Sequence, residues 1–442
     1  MATSTDPPLV AGVSRVLPDG TIVELLYDRD AGSTAFAVRR PDGSISIERE
    51  IVLPDGRRLR PYAATNNLLT SGCVRLPSAV DPFGDKASLI ADLRAFLRRH
   101  VQLSPLFEDI APYYVLLSWV YDGFNELPML RFRGDYGTGK TRALLAVGSL
   151  CYKAFFASGA STVSPLFHIL DVFRGTLVLD EADFRFSDAT ADLTKILNNG
   201  TVAGVPVLRT LTNADRELNP RAFSVYGPKL IAMRRSFRDD ALESRFLTEE
   251  TGRHPLRPDL PIHAPPSLAH EAQSLRNRLL SWRFAALDTV APDPTRALVG
   301  VEPRLNQTAL ALLSLIDEPK TLERVRYALM TGARPESASI DSETLLIRVM
   351  SGLFDQAPAL GVAVRDATRA FNAEASTLLG RPMSDRWVGG MLRDRLGLTT
   401  RKTGGVYRVS RDQWPRLKAL AVQIAPAVSP PETLSFPGSA VS

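Results

Sequence analysis

Over the first eighty residues the apolar positions fall in short runs separated by turn signals. Pro-Asp-Gly occurs at 18–20, 41–43 and 54–56. Proline presets φ and glycine accepts the positive φ that closes a turn, so each triplet predicts one. The β-suited runs 21–27, 35–39, 44–47 and 51–53 then predict a small antiparallel sheet or barrel. At residue 85 the period becomes helical. Leu89, Ile90, Leu93, Phe96 and Leu97 share one face of a helix over 85–101, with Arg94, Arg98 and Arg99 opposite, and a second helix follows over 110–123. Next come strand patterns at 127–132, 154–158, 205–210, 221–226 and 228–233, with helices at 142–150, 163–173 and 191–197. Such alternation predicts an α/β core with a parallel sheet. Helices over 267–291, 306–330 and 342–354 are set off by connectors at 255–266 and 332–339. The chain then reads as helices at 364–379 and 384–396 and a hairpin at 399–409, with a Pro-, Ser- and Ala-rich tail.

At 442 residues the chain is too long for one core. The expected domains are a β-rich region 1–84, an α/β core 85–255, a helical lid 256–358, a third module 359–425 and a disordered tail 426–442. No run approaches the ~20 apolar residues of a membrane span, and the start carries Asp and Pro where a secretory leader would be basic and then apolar. Cys73 and Cys151 stand far apart, and the five histidines form no ligand spacing, so neither a disulfide framework nor a zinc site is expected. A cytoplasmic protein without a membrane partner is the expectation. The net charge of +5 is modest, but residues 361–420 hold twelve Lys and Arg against five Asp and Glu, a formal +7. The remainder is therefore slightly acidic.

The candidate chemistry centres on Gly134, Asp135, Tyr136, Gly137, Thr138, Gly139, Lys140 and Thr141, a match to G-x-x-x-x-G-K-[ST] between a strand and a helix. Glycines let successive backbone N–H groups converge on phosphate oxygens, Lys140 reaches the outer phosphates, and the Thr141 hydroxyl ligates Mg²⁺. Forty residues after Lys140, the run 175–179 ends in Asp180-Glu181. A strand there delivers both carboxylates to the C-terminal edge of a parallel sheet, where such folds bind ligands. Asp180 would hold Mg²⁺ and Glu181 would polarise the water that attacks the γ-phosphate of ATP. The letters of 180–183 spell DEAD, but none of the other motifs of that helicase family is present, and too little chain follows for its second domain.

The stretch 127–316 resembles AAA+ ATPases, and within them the helicase-related branch: superfamily 3 helicases, minichromosome-maintenance helicases and ATPase domains of phage and mobile-element replication proteins. Two of the four features that carry the resemblance are the motifs above. The third is the hairpin predicted before the strand 228–233, in the place of a hairpin that grips nucleic acid in the pore of a ring; Arg209, Arg216 and Arg221 are its candidate DNA contacts. The fourth is Asp240-Ala241-Leu242-Glu243-Ser244-Arg245-Phe246, similar to the arginine-finger segment of minichromosome-maintenance proteins. By that resemblance Arg245 would act on the nucleotide of a neighbouring copy. Pro303-Arg304-Leu305 resembles the start of a sensor-2 helix, making Arg304 a candidate γ-phosphate contact. Where the family carries a polar sensor-1 residue, this chain has Arg234-Arg235, which leaves that site unassigned.

In the third module, Ser384 can cap the helix that follows, with Asp385 in its first turn, and a basic hairpin comes next. Helix, capped helix and basic β-wing is the winged-helix arrangement. Its charge suggests DNA, with Arg386 and Arg393 on the helix and Arg401 and Lys402 on the wing. The expectation is an ATP- and Mg²⁺-dependent DNA motor, a hexameric ring helicase, with a primase or other replication or mobile-element proteins as further partners. The alternative is an AAA+ switch that binds DNA without unwinding it, as a loader, transposition regulator or defence ATPase does.

Overall fold

In each of the three Pro-Asp-Gly turns the aspartate Oδ1 accepts the backbone N–H two residues on: Asp19 from Thr21 (2.9 Å), Asp42 from Ser44 (2.9 Å) and Asp55 from Arg57 (3.0 Å). These turns belong to a computed structural model that describes residues 9–182, 188–212, 218–234, 236–237, 239–252, 256–331, 342–356, 360–379 and 383–424. The chain divides into two units, Met1–Pro335 and Glu336–Ser442.

In the first unit, strands β1 (Leu9–Gly12), β2 (Ser14–Val16), β3 (Ile22–Asp28), β4 (Ser33–Arg39), β5 (Ile45–Glu48), β6 (Ile51–Val52) and β7 (Arg58–Pro61) form two small sheets. One is the antiparallel meander β2-β3-β4-β5, and the other has the order β1-β7-β6. Alternate residues of β3 enter different cores, Ile22 and Leu26 on one side, Val23 and Leu25 on the other. The N-terminal region therefore shares its cores with the rest of the unit.

After the short α1 (Asn67–Thr70) come α2 (Lys86–His100) and α3 (Pro105–Trp119). The latter starts five residues before the predicted helix because Ser104 caps it and Pro105 takes its first position. The core follows as β8 (Met129–Arg133), α4 (Lys140–Gly148), β9 (Phe155–Ser158), α5 (Val163–Phe173), β10 (Leu177–Asp180), α6 (Asp188–Asn199), the hairpin β11 (Val207–Thr212) and β12 (Leu218–Phe223), β13 (Lys229–Met233), α7 (Asp240–Glu243) and β14 (Phe246–Glu250). Five of these strands make a parallel sheet in the order β14-β8-β13-β10-β9, with Met233 opposite Arg133 and Leu179 opposite Ile231. The α/β core with a parallel sheet agrees with the sequence. Among the described residues β11 and β12 pair with each other alone, and β12 begins three residues before the expected strand 221–226.

Helices α8 (Ser267–Ala286), α9 (Pro303–Leu315) and α10 (Pro319–Thr331) complete the unit. The single helix expected over 306–330 is two, because Pro319 lacks an N–H and restarts the chain at its own N-terminal position. A buried ionic cluster ties α8 to the N-terminal sheet. Arg283 on α8 donates to Glu24 of β3 (2.8 Å) and bidentately to Asp122 (2.8 and 2.6 Å), while Lys153 lies 3.0 Å from the second Glu24 oxygen. Burial pulls the Lys153 pKa down to about 8, with Glu24 opposing. A second buried lysine, Lys229 at the start of β13, gives its three protons to the carbonyls of Gly200, Val225 and Gly227 at 2.8, 2.9 and 2.8 Å. This tripod fixes the end of α6 and the exit of the hairpin to the sheet. Burial lowers its pKa to about 7.

The second unit contains α11 (Ser342–Asp355), β15 (Val362–Ala363), α12 (Val364–Leu379), α13 (Asp385–Gly390), β16 (Thr400–Thr403), β17 (Val406–Val409) and α14 (Trp414–Ile424). Leu345, Leu346, Phe371, Leu392, Val409 and Leu417 share its core. The range 256–358 expected for a lid thus spans the division between units. Ser384 caps α13 as expected, accepting the Trp387 N–H. The chain continues past α13 as a π-helical turn, 391–395, and β15 adds a third strand to the hairpin.

Candidate active site

The phosphate-loop segment 134–139 joins β8 to α4 at the C-terminal edge of the sheet. Gly137 and Gly139 take φ values of +72° and +88°, open to glycine and costly for other residues. Loop and neighbouring strand are joined at Thr138, whose hydroxyl lies 2.9 Å from that of Thr251, while Thr251 N–H donates to Arg133 O at 2.7 Å. Lys140 Nζ donates to Asp135 O at 2.5 Å, so its ammonium bridges the loop.

The parallel sheet brings Asp180 to the same edge at the end of β10. Thr141 Oγ1 donates to Asp180 Oδ1 at 3.2 Å. A hydroxyl and a carboxylate so placed form an oxygen donor pair of the kind a hard divalent cation takes. Next to them Glu181 is exposed and has φ of +55°, a left-handed conformation that costs a non-glycine residue about 1–2 kcal/mol. Its surroundings impose it. Glu181 N–H donates to Asp180 Oδ1 (2.9 Å), Gly159 N–H to Asp180 O (2.9 Å) and Ala182 N–H to Ala232 O (3.0 Å). A Cβ at Gly159 would come 2.4 Å from Glu181 O, so only glycine permits this approach. Strain held at an exposed carboxylate beside the end of β10 fixes the direction of that side chain.

Because β13 lies between β8 and β10, the residue just beyond it emerges between Lys140 and Asp180. That residue is Arg234. Its guanidinium lies 4.2 Å from the Tyr136 ring centroid and bonds the Tyr136 hydroxyl. In the first turn of α4, Arg142 Nε donates to His100 O at 2.6 Å, Arg142 Nη2 and His100 Nδ1 are buried without a hydrogen-bond partner, and His100 Nε2 lies 3.5 Å from Glu271 Oε2. Burial holds the His100 pKa below its ordinary value, with Glu271 opposing. Partnerless buried polar atoms beside a phosphate loop suit a polar ligand.

Arg245 lies elsewhere. Its carbonyl accepts the N–H of Met129, the first residue of β8, so about 13 Å of strand separates it from the phosphate-loop edge. Its guanidinium bonds Asn198 O and Oδ1, the latter at 3.2 Å. Arg304 donates to Ala241 O at 3.3 Å, and burial followed by the Arg304 charge lowers the Arg245 pKa. The two arginines expected to touch a γ-phosphate therefore meet each other beside α7. In this chain Arg304 thus lies with Arg245 rather than beside residues 134–141. The segment is anchored by Glu243, which takes both terminal nitrogens of Arg131 at 2.5 and 2.7 Å, while Arg131 stacks on Phe246 at 4.8 Å.

On the hairpin, Arg209 and Arg221 face each other across the strands. Arg209 pairs with Asp192 (3.2 Å) and stacks on Phe167 (4.5 Å), and Arg221 pairs with Asp171 (3.1 Å). Both sit at the base, where α5 and α6 supply the carboxylates. Arg216 lies outside the described residues. In the second unit Arg386, Arg393, Arg401 and Lys402 are all exposed, and Arg393 donates to Thr400 Oγ1 (3.2 Å). Among the described residues no group of three or more His, Cys, Asp and Glu could hold a metal, and no helix is long and apolar enough to cross a membrane.

The sequence left Arg234 unassigned, because its place depends on the register of β13. His100 carried a signal: it follows Phe96 by four residues on the apolar face of α2. Gly159 and Thr251 carried none.

No family model and no curated protein matches the chain. Among solved structures it is similar to the NrS-1 C-terminal region (305–718), with 11% identity, TM-score 0.30, and 88% of this chain and 96% of that one covered. It is also similar to the SCCmec type IV Cch active helicase, with 14% identity, TM-score 0.28, and 87% and 59% covered. A full-length MCM homolog from Methanopyrus kandleri matches at 13% identity and TM-score 0.36, over 72% and 75%. With TM-scores below 0.5, none of these likenesses fixes the fold or activity of this chain.

Proposed function

We propose that the chain is an AAA+ ATPase that couples ATP hydrolysis to movement along DNA as a ring of identical copies, in the manner of a hexameric helicase. One observation carries this reading: Lys140, Thr141, Asp180 and Glu181 converge at one edge of the sheet, while Arg245 starts from the other. Head-to-tail contact, repeated around a ring, would complete each half-site with a neighbour's arginine.

In such a site the backbone of 134–139 and Lys140 hold the phosphates of ATP. Thr141 and Asp180 are the residues that would hold Mg²⁺, which supplies neutralisation of the phosphate charge. Glu181, aimed by its strained backbone, orients the attacking water and accepts its proton. Arg234 contacts the terminal phosphate from between the two motifs. Arg245 of the adjoining copy offsets charge developing in the transition state, and Arg304 joins it. The second unit serves as a winged helix, with the Ser384-capped helix in the major groove, Arg386 and Arg393 beside it and Arg401 and Lys402 on the wing. Regions 1–84 and 85–255 act as collar and motor of a cytoplasmic protein and the helices of 256–331 as its lid, with replication or mobile-element proteins such as a primase supplying other activities.

A second reading, the non-unwinding DNA-binding switch, is favoured by the carboxylates that occupy Arg209 and Arg221 at the hairpin base. Strand displacement on 5′- and 3′-tailed duplexes, run beside ATP turnover, separates the two. The motor reading predicts DNA-stimulated turnover with displacement of at least one substrate. Stimulated turnover without displacement at every salt concentration would transfer the assignment to the switch.

A further inference from the structure

A second cationic site lies away from the phosphate loop. An open cleft of about 110 Å³ lies between the β3–β4 turn, the segment following α1, and α8, and Arg29, Arg75 and Arg276 line it. Arg276 is only 5% exposed. Its guanidinium donates to Leu76 O (3.3 Å), Ser149 O (2.6 Å) and Gln273 Oε1, all neutral acceptors. Arg75 is half-buried and lies over the Phe156 ring, 5.6 Å from its centroid. Among the described residues no ion pair links Arg29, Arg75 or Arg276 to a carboxylate.

Grouping like charges in partial burial is unfavourable unless a counter-charge completes the group. The strain registers on both inner arginines. Burial and then Arg75 lower the Arg276 pKa to about 9, and burial and then Arg29 lower that of Arg75. Two aspartates also line the cavity, but at its mouth. Asp30 is exposed, and Asp28 Oδ1 is engaged by the N–H groups of Asp30 (3.0 Å) and Ala31 (2.9 Å). The inner wall is thus cationic and the rim mixed. At about 10–15 Å³ of such space per water the cavity takes several waters, room enough for a tetrahedral oxyanion.

We infer that this cavity binds a phosphate group, held by the guanidinium forks of Arg75 and Arg276 with Arg29 at the mouth. Planar guanidinium donors match the oxygen spacing of such anions better than point charges do. Ser149 caps the helix that begins at Lys140, so Arg276 joins the site to the far end of the phosphate-loop helix. Two sources carry the required chemistry: free inorganic phosphate, or the terminal phosphate of a DNA strand.

The test uses the full chain with Lys140→Ala, so that the phosphate loop does not contribute, and stands whether or not the protein hydrolyses ATP. Inorganic phosphate is titrated calorimetrically at fixed ionic strength, beside short single strands ending in 5′-phosphate or 5′-hydroxyl. At least one phosphate-bearing ligand should bind saturably, and Arg75→Gln should weaken it about tenfold while Arg15→Gln leaves it unchanged. Preference for the 5′-phosphate strand over its 5′-hydroxyl counterpart, lost in Arg75→Gln, assigns the source to DNA ends. Phosphate binding without that preference assigns it to the free anion. Thermal melts add a crossover. Without phosphate, Arg75→Gln should melt no lower than its parent, because the missing cation was repelled by its neighbours. With phosphate, only the parent should gain. No saturable binding by any of the three ligands, or binding indifferent to Arg75→Gln, would overturn the site.

Discussion

At the C-terminal edge of the five-stranded sheet Lys140 and Thr141 open α4, Asp180 closes β10, and Glu181 follows it. Lys140 reaches across its own loop to Asp135 O, and Glu181 is held left-handed between Gly159 and Asp180. At the N-terminal edge, Arg245 is seated on Asn198 and follows a segment clamped by the Arg131–Glu243 fork. One edge keeps its carboxylates and ammonium at an open ligand surface, and the other fixes its guanidinium in place. Under the proposed two-copy site, the open edge would be the pliant half that receives a ligand and the other the rigid half presented to it.

The largest expected effect separates the halves by function. Arg245→Ala should lower ATP turnover by about 10³-fold while leaving nucleotide affinity within a few-fold of the parent. Glu181→Gln should lower turnover about 10²- to 10⁴-fold, again sparing binding. Equal loss of binding in Arg245→Ala, measured with a fluorescent nucleotide, would place that arginine in its own chain's site.

The next effect tests the rigid half. Glu243→Ala leaves Arg131, only 3% exposed, buried without its carboxylate, at a cost of about 3–5 kcal/mol in denaturant unfolding. An effect below ~1 kcal/mol would remove the clamp from the account. Smaller still, Glu181→Asn should stabilise the fold by up to ~1 kcal/mol while abolishing turnover, because asparagine enters the left-handed region at less cost than glutamate. A destabilised variant would mean the strain is not stored there.

The smallest effect is a pH dependence that belongs to the scaffold beneath both edges. Lys229 and Lys153, with folded pKa values of about 7 and about 8 against 10.5 unfolded, bind fewer protons folded than unfolded across that interval. Their burial cost is full at low pH and relieved as pH rises, so stability should climb from pH 7 towards 10. Tyr114, Tyr121, Tyr152 and Tyr226 have pKa values raised by burial, so above the unfolded value of 10.0 the unfolded chain ionises first and stability should fall. Melting temperatures across this range should pass through a maximum; a monotonic fall from pH 7 would contradict the two lysine assignments.

Much of the pliant edge was legible because local chemistry specifies it. Residues 134–141 and Asp180-Glu181 announce themselves by composition, and the alternation of apolar periods places them on a strand–loop–helix and a strand end. The separation of Arg245 from the loop follows instead from β14 pairing with β8, a contact more than a hundred residues apart in sequence. Arg234 became interpretable only once Met233 was opposite Arg133. The aspartate partners of Arg209 and Arg221 were not legible, because a basic residue on a hairpin looks the same in sequence whatever the helix beneath it carries. The arginine-lined cavity draws on three segments, each unremarkable alone.

The central claim is that a working site needs two copies, and mixing dead variants tests it most directly. Glu181→Gln lacks a working pliant half but presents Arg245, and Arg245→Ala has the reverse defect. Combined in equal amounts under conditions that allow subunit exchange, they should recover turnover at about one quarter of the interfaces, where an Arg245→Ala copy receives the arginine of a Glu181→Gln neighbour. A mixture no more active than its two components would contradict the account.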